Sequence, residues 1–351
     1  MNEIFAEKYK LLALLGKGGM CEVYRAEQLF FDRMVAIKLL RQALAKSEEA
    51  RRRFLREAQN CSRLDHPNII VVYDVDQWKD RPYIAMQYVD GGNLNEFMQR
   101  GYTASDGLRI VIEVAKALDC ASDLDLSHRD LKPENILIAS DGRSKVADWG
   151  LAKALDGAQD LTNAGVVLGT PEYMSPEQIM SQALSLQSDI YSLGVILYEV
   201  MAGSLPFESD SVTDLLQAHI HKEPDSLSSK APYIPEELSI LAKEMLAKSA
   251  QDRPSSVKQV IERLESIEAE HGKALSEKKF KAASSSREEG GGSSESDDSR
   301  NLKSKRTTKK SRLQLPADGH PTSRFHSKTL VILIATFSVV LIVLLSILLF
   351  Y

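Results

Sequence analysis

The sequence predicts an α+β fold, and three observations carry that expectation. Short β-branched runs crowd the first hundred residues: VAIKLL from Val35, IIVVYDV from Ile69 and PYIAMQYV from Pro82. Beyond them the apolar period lengthens to that of a helix. Ile110, Val114, Ala117, Leu118 and Ala121 share one face, and Leu193–Met201 repeats the pattern. Strands first and helices after is the α+β order. The stretch from residue 1 to about 270 is also near the upper limit of one hydrophobic core, so two lobes are expected. No internal repeat interrupts this order.

Each segment has its own justification. SEEARRRFLREAQNCSRL (47–64) opens with Ser47 and two acids, the composition a helix N-terminus favours. Phe54, Ala58 and Cys61 make its apolar stripe, and Glu57 lies on that stripe. A carboxylate there needs a partner. Lys38, at the end of VAIK, is one candidate; a surface pairing with Arg53 or Arg56 is the plainer alternative. LLGKGGMCEVYRA (14–26) sets Gly16 and Gly18 between apolar runs, with Cys21 where a GxGxxG spacing places its third glycine. Such a hairpin lets backbone N–H groups approach phosphates, although alone it is equally a plain turn.

Charge divides the chain. Its net −5 is a sum of opposites: residues 1–270 carry 30 Lys and Arg against 42 Asp and Glu, and residues 271–351 carry 14 against 7. An acidic main domain argues against nucleic-acid binding. Cys21, Cys61 and Cys120 are too few for a disulfide framework and form no CxxC pair, which fits a reducing compartment.

The end of the chain reads differently. From about Gly272 to Thr329 the composition suits a disordered linker: SSSREEGGGSSESDDS (284–299), then a basic run from Arg300 to Lys328. From Leu330 to Tyr351 run 22 residues without charge, Gly or Pro. At 1.5 Å per residue they reach about 33 Å, enough for one transmembrane helix. The preceding cations are expected on the cytoplasmic side, where they also attract anionic headgroups; a solvated spacer is the alternative. A homodimer is admitted, but no GxxxG motif in the apolar segment supports one. Either the tail anchors the protein or the sequence is truncated.

HRDLKPEN (128–135), then Asp148-Trp149-Gly150, then GTPEYMSPE (169–177) follow VAIK in order. With these the chain, over about residues 9–267, resembles the eukaryotic-like protein kinase superfamily, in the style of bacterial membrane-anchored serine/threonine kinases. The resemblance implies a bilobal fold, with a β-rich N-lobe and a helical C-lobe. It implies ATP with Mg²⁺ (or Mn²⁺) and protein substrates.

Residue roles come from that resemblance. Lys38 would hold the α/β-phosphates and pair with Glu57; Asp130 would orient the substrate hydroxyl; Lys132 would neutralise the γ-phosphate. Asn135 and Asp148 would hold the metal. Leu15, Gly16, Lys17, Gly18, Gly19, Met20, Cys21, Glu22, Val23 and Ala36 would cover ATP. Met86 would be the gatekeeper, with Gln87 and Val89 offering backbone groups to adenine. Thr170 would help fix Asp130 and Lys132. Arg129 is the arginine type that pairs with a phosphorylated loop, and Thr162 is the expected autophosphorylation site. Asp189, and the pair Glu177–Arg253, resemble supports of the fold.

Three departures stand out. Cys21 replaces a glycine, Trp149 replaces the usual Phe, and Cys61 falls where a larger apolar residue packs against it. Two other functional classes remain to be weighed: a catalytically dead scaffold, and a small-molecule phosphotransferase.

Overall fold

The computed structural model describes residues 3–149 and 170–281. Six strands form one antiparallel sheet in the order β1-β2-β3-β4-β6-β5: β1 (Glu3–Phe5), β2 (Tyr9–Lys17), β3 (Cys21–Gln28), β4 (Arg33–Leu40), β5 (Val72–Trp78) and β6 (Arg81–Gln87). Helix α1 (Glu48–Ser62) packs against β5 and β6. Its N-cap is Ser47, whose hydroxyl accepts from the Ala50 N–H at 3.3 Å. Phe54, Ala58 and Cys61 turn inward together with Glu57. Pairing of β3 with β4 sets Val23 beside Lys38, and pairing of β4 with β6 sets Ala36 beside Met86.

The run IIVVYDV is only partly strand. Ile69 and Ile70 are buried before β5 begins, because the Ile70 N–H donates to Val146 O at 3.0 Å and so holds this segment against the second lobe.

That lobe is helical. It contains α2 (Leu94–Arg100), α3 (Ala104–Ser122), α4 (Leu186–Ala202), α5 (Val212–His221), α6 (Glu236–Met245) and α7 (Val257–Glu277), with single-turn helices unnumbered. Helix α3 packs on α4 and α7, and α4 is buried on nearly every side. This explains its continuous apolar run. Between the helices lies a small hairpin of β8 (Ile136–Ile138) and β9 (Ser144–Val146), which carries the catalytic-type motifs at its ends.

Regular secondary structure continues past residue 272. Helix α7 runs through Gly272 to Glu277, burying Leu275, and β10 (Lys279–Phe280) pairs with β7 (Tyr102–Thr103). Phe280 stacks on Tyr102 at 4.5 Å, and Lys278 O accepts the Ala104 N–H at 2.9 Å. The polar sequence around Gly272 conceals this closure because only Leu275 and Phe280 carry it. Among the described residues no helix is long and apolar enough to cross a membrane. The remaining linker and the segment 330–351 lie outside the described residues.

Candidate active site

Lys38, at the inner edge of β4, is buried, and its Nζ lies 2.6 Å from Glu57 Oε1 and 2.8 Å from Asp148 Oδ1. The acid on the α1 stripe thus has its partner across the sheet, and Arg53 turns to Glu49 instead. Burial alone would weaken the ammonium's hold on its proton; the carboxylates of Asp148 and Glu57 outweigh this and raise its pKa. Burial also pushes the Glu57 carboxyl up to about 7, against the pull of Lys38, and its Oε2 has no hydrogen-bond partner. For Asp148 burial pushes upward too, but the charge and hydrogen bond of Lys38 win and hold the carboxyl low. The three side chains therefore share one cation between two acids.

The second group of functional side chains sits on the loop before β8. Asp130 has a side chain 37 % exposed, with Oδ2 3.1 Å from Lys132 Nζ. The Asn135 amide donates to Asp130 O at 2.8 Å. That bond fixes the amide and leaves Asn135 Oδ1 as its free end. Asn135 O in turn accepts the Ala147 N–H at 2.8 Å, which ties Asn135 to the residue before Asp148. Asp148 and Arg129 both have positive φ, +62° and +66°, a strain that persists only where surroundings fix it.

Those surroundings are visible. Asp189, buried in α4, accepts the backbone N–H of His128 at 2.7 Å and of Arg129 at 2.8 Å, and the Ser127 hydroxyl at 2.8 Å. The Gln178 side chain donates to Arg129 O at 2.6 Å. The ring of buried His128 bonds Ala147 O at 2.8 Å and meets Trp149 edge-on at 4.9 Å. Sequence reasoning missed His128 and Gln178 as supports; both lie inside motifs read for other residues.

The hairpin between β2 and β3 covers one side of the cleft. Leu15, Gly16, Lys17, Gly18 and Gly19 are exposed; a Cβ on Gly16 or Gly19 would meet nothing within 4 Å. Met20 and Val23 are half-buried and Ala36 buried. Glu22 is turned to Arg81 at 2.8 Å and to Lys17 at 3.6 Å; Arg81 holds its carboxyl low. Cys21 packs with Leu40, Phe54, Ala58 and Ile84, and burial pushes its thiol up to about 12. That makes it an inert core residue.

Met86 stands at the rear of the cleft. With Glu57, Cys61, Val72, Asp148 and Trp149 it lines a cavity of about 10 Å³, around the size of one water. The Gln87 N–H is committed to Val71 O at 2.8 Å, so of that residue only the carbonyl can face a purine. Val89 is half-buried. Gly91 is required by close approach: a Cβ there would stand 2.3 Å from Ile138 O.

Thr170 stands just before the turn Pro171–Tyr173, while Asp130 and Lys132 pair directly with one another at 3.1 Å. Gly150 and Thr162 lie outside the described residues.

The donor set suits a hard cation and a polyphosphate. Asp148 and Asn135 offer oxygen ligands of the type Mg²⁺ prefers, and Lys38 and Lys132 flank them with positive charge.

The Protein kinase domain model matches residues 9–264. The serine/threonine-protein kinase pkn3 of Myxococcus xanthus is 42 % identical over 77 % of this chain and 52 % of its own length. PrkC of Bacillus subtilis is 39 % identical over 69 % of this chain and 37 % of its own. The crystal structure of the Mycobacterium tuberculosis PknI kinase domain superposes with a TM-score of 0.58 at 28 % identity, covering 76 % of this chain and 98 % of that one. The chain thus spans about half or less of the length of these curated relatives.

Proposed function

Because the chain belongs to the protein kinase family, in its bacterial serine/threonine branch, we propose that it transfers the γ-phosphate of ATP to serine and threonine hydroxyls of proteins. The observation that carries this reading is the closed Lys38–Glu57–Asp148 cluster facing the Asp130–Lys132–Asn135 loop. Phosphoryl transfer needs positioning and charge neutralisation more than covalent chemistry, and these residues supply both.

Bound Mg²⁺ would neutralise charge on the phosphates, held by the Asp148 carboxylate and Asn135 Oδ1. Mn²⁺ has the same oxygen preference. Lys38 holds the α/β-phosphates, its position set by Glu57. Asp130, open to solvent, orients the acceptor hydroxyl and takes its proton. Lys132 offsets the γ-phosphate charge. Met86, Ala36 and Val23 enclose the purine, with the Gln87 carbonyl and the Val89 backbone as hydrogen-bonding groups. Leu15 to Glu22 form the hairpin above the phosphates, Glu22 acting through Arg81 rather than on the nucleotide. Transfer from ATP to a peptide acceptor, in competition with aminoglycosides, tests the reaction class. Phosphate on serine and threonine supports the reading; phosphate on the aminoglycoside alone refutes it.

Regulation belongs to the same proposal. Arg129 adjoins Asp130, and phosphorylation of Thr162 by the enzyme itself adds about −1.5 to −2 charge for an arginine to pair. Mass spectrometry of the active enzyme should find Thr162 modified; active enzyme unmodified there refutes it.

Residues 330–351 anchor the protein as a single membrane pass, with the kinase domain on the cytoplasmic face of a bacterial plasma membrane. The length and apolarity of that segment and its basic flank support this. Alkaline carbonate extraction of membranes should leave the protein in the pellet; release to the supernatant refutes anchoring.

A further inference from the structure

Helix α1 has an outer side that the phosphate chemistry does not use. Where it packs on β5, the side chains of Leu55, Ala58, Gln59, Ser62 and Val75 line an open cavity of about 240 Å³. Leu55, Gln59 and Ser62 follow one another at helical spacing, and Val75 on the strand is 40 % exposed. Leu55, Ala58 and Val75 give this groove an apolar floor that solvent reaches. Small-molecule sites run from about 300 to 1,000 Å³, so the groove is sized for a single apolar side chain.

Its rim is basic. From Arg51 to Arg63 the sequence has five arginines and one acid, Glu57, which is buried against Lys38. Arg56 and Arg63 stand three and four residues from Gln59, so both border the groove, and both are exposed. The ion pairs along the helix are Arg52 with Glu48 and Arg53 with Glu49. Among the described residues Arg56 and Arg63 have no acidic partner. The acids of β5 do not serve them: Asp74 and Asp76 flank Val75, so they turn to the other face of the strand, where Lys8 binds them at 2.9 and 3.0 Å. A basic strip beside an apolar floor therefore stands on a domain that carries 30 cations against 42 anions over residues 1–270.

We propose that the groove between α1 and β5 docks a segment of a partner protein in which acidic residues surround one bulky apolar side chain. The apolar side chain fills the cavity over Leu55, Ala58 and Val75, and the flanking carboxylates pair with Arg56 and Arg63. The chain's own acidic run, residues 288–298, has the charge but no apolar residue to fill the floor, so a different protein supplies the segment. Docking goes beyond phosphoryl transfer and uses none of the residues assigned to it.

The test uses the full-length protein in detergent and the fluorescence anisotropy of a labelled peptide with one phenylalanine between two acidic triplets. Wild type should bind it saturably below about 1 mM. Alanine in place of the peptide's phenylalanine should weaken binding about ten-fold or more. Gln59→Trp, which fills the groove, should do the same. The double variant Arg56→Glu/Arg63→Glu should weaken binding at least about ten-fold at low salt, with a smaller difference at high salt. All three positions are exposed, and nucleotide titration checks that each variant is folded; the alanine peptide tests wild type directly. Saturating ATP with Mg²⁺ should leave the affinity within about two-fold. No saturable binding, equal affinity for the alanine peptide, or wild-type affinity in either variant would each overturn the proposal. Displacement by ATP with Mg²⁺ would also overturn it, by putting the peptide on Lys38 and Lys132. So would self-association of wild type that the peptide dissolves, which gives the groove to a second copy. Binding at least about ten-fold tighter after deletion of residues 288–298 would give it to the chain's own segment and overturn the assignment to a partner.

Discussion

Glu57 Oε1 accepts a 2.6 Å hydrogen bond from Lys38 Nζ, joining α1 to β4 inside a cleft where both side chains are almost wholly buried. Asp148 completes the cluster from the opposite lobe. Truncating one partner of a buried pair leaves a charge without its counterion. Glu57→Gln keeps the shape and removes the charge, so Lys38 should turn wholly to Asp148 and lose its place over the phosphates. Loss of one oriented charge in such a site lowers kcat by about 10²–10³. Steady-state transfer assays check this; activity within three-fold of wild type would detach Glu57 from the reaction.

Glu177 and Arg253 make the matching support deep in the helical lobe. The pair is bidentate, at 2.7 and 2.9 Å, and Ser188 also donates to Glu177. Arg253 further caps the carbonyls of Ala247 and Gln187. Arg253→Ala should destabilise the fold by about 3–5 kcal/mol, while the ATP KM of the folded fraction stays unchanged. Urea unfolding followed by circular dichroism measures the first, and nucleotide titration the second.

Trp149 and Cys61 line the same cavity. The indole N–H donates to Val146 O at 3.3 Å, and the Cys61 thiol donates to Ile70 O at 3.3 Å. A larger aromatic beside a smaller partner keeps the volume filled. Trp149→Phe should reduce activity and Cys61→Leu should partly restore it. A double-mutant cycle should give coupling of about 0.5–3 kcal/mol; additive effects would break the link.

Glu199 gives the pH dependence its sign. Burial, then the neighbouring acids Glu134, Glu172 and Glu208, push its carboxyl up to about 7, against the hydrogen bond from Tyr173. The unfolded chain releases this proton near the ordinary glutamate value of about 4.3. Below that pH both states are protonated, and the residue's contribution is intact. Between about 4.3 and 7 the unfolded state is favoured progressively, so stability is lost as pH rises, by roughly 3–4 kcal/mol in full. Glu199→Gln should therefore be more stable than wild type at pH 8 and lose that advantage by pH 4. Denaturant unfolding at the two values decides it; a pH-independent difference would contradict the assignment.

Much of the site was legible because its chemistry sits in short motifs. HRDLKPEN carries Asp130, Lys132 and Asn135 on one loop, and VAIK ends a strand whose pairing fixes Lys38. The stripe on α1 even exposed the need for a cation near Glu57. What escaped was long-range. Gln178 holds Arg129 O across 49 positions, and nothing in periodicity shows which carbonyl or N–H a side chain will meet; Asp189 beneath His128 and Arg129 was named through the resemblance alone. The direction of Glu22 was hidden likewise, since Arg81 is remote in sequence. Clasp residues Leu275 and Phe280 were masked by polar neighbours.

Single-turnover transfer of the γ-phosphate of ATP to a serine peptide tests the central claim most directly, with wild type and Asp130→Asn compared at matched ATP occupancy. If Asp130 orients the acceptor and removes its proton, the variant should bind ATP as wild type does and transfer at least about 10²-fold more slowly. Transfer at the wild-type rate by the Asn variant would contradict the assignment of this loop as the catalytic centre.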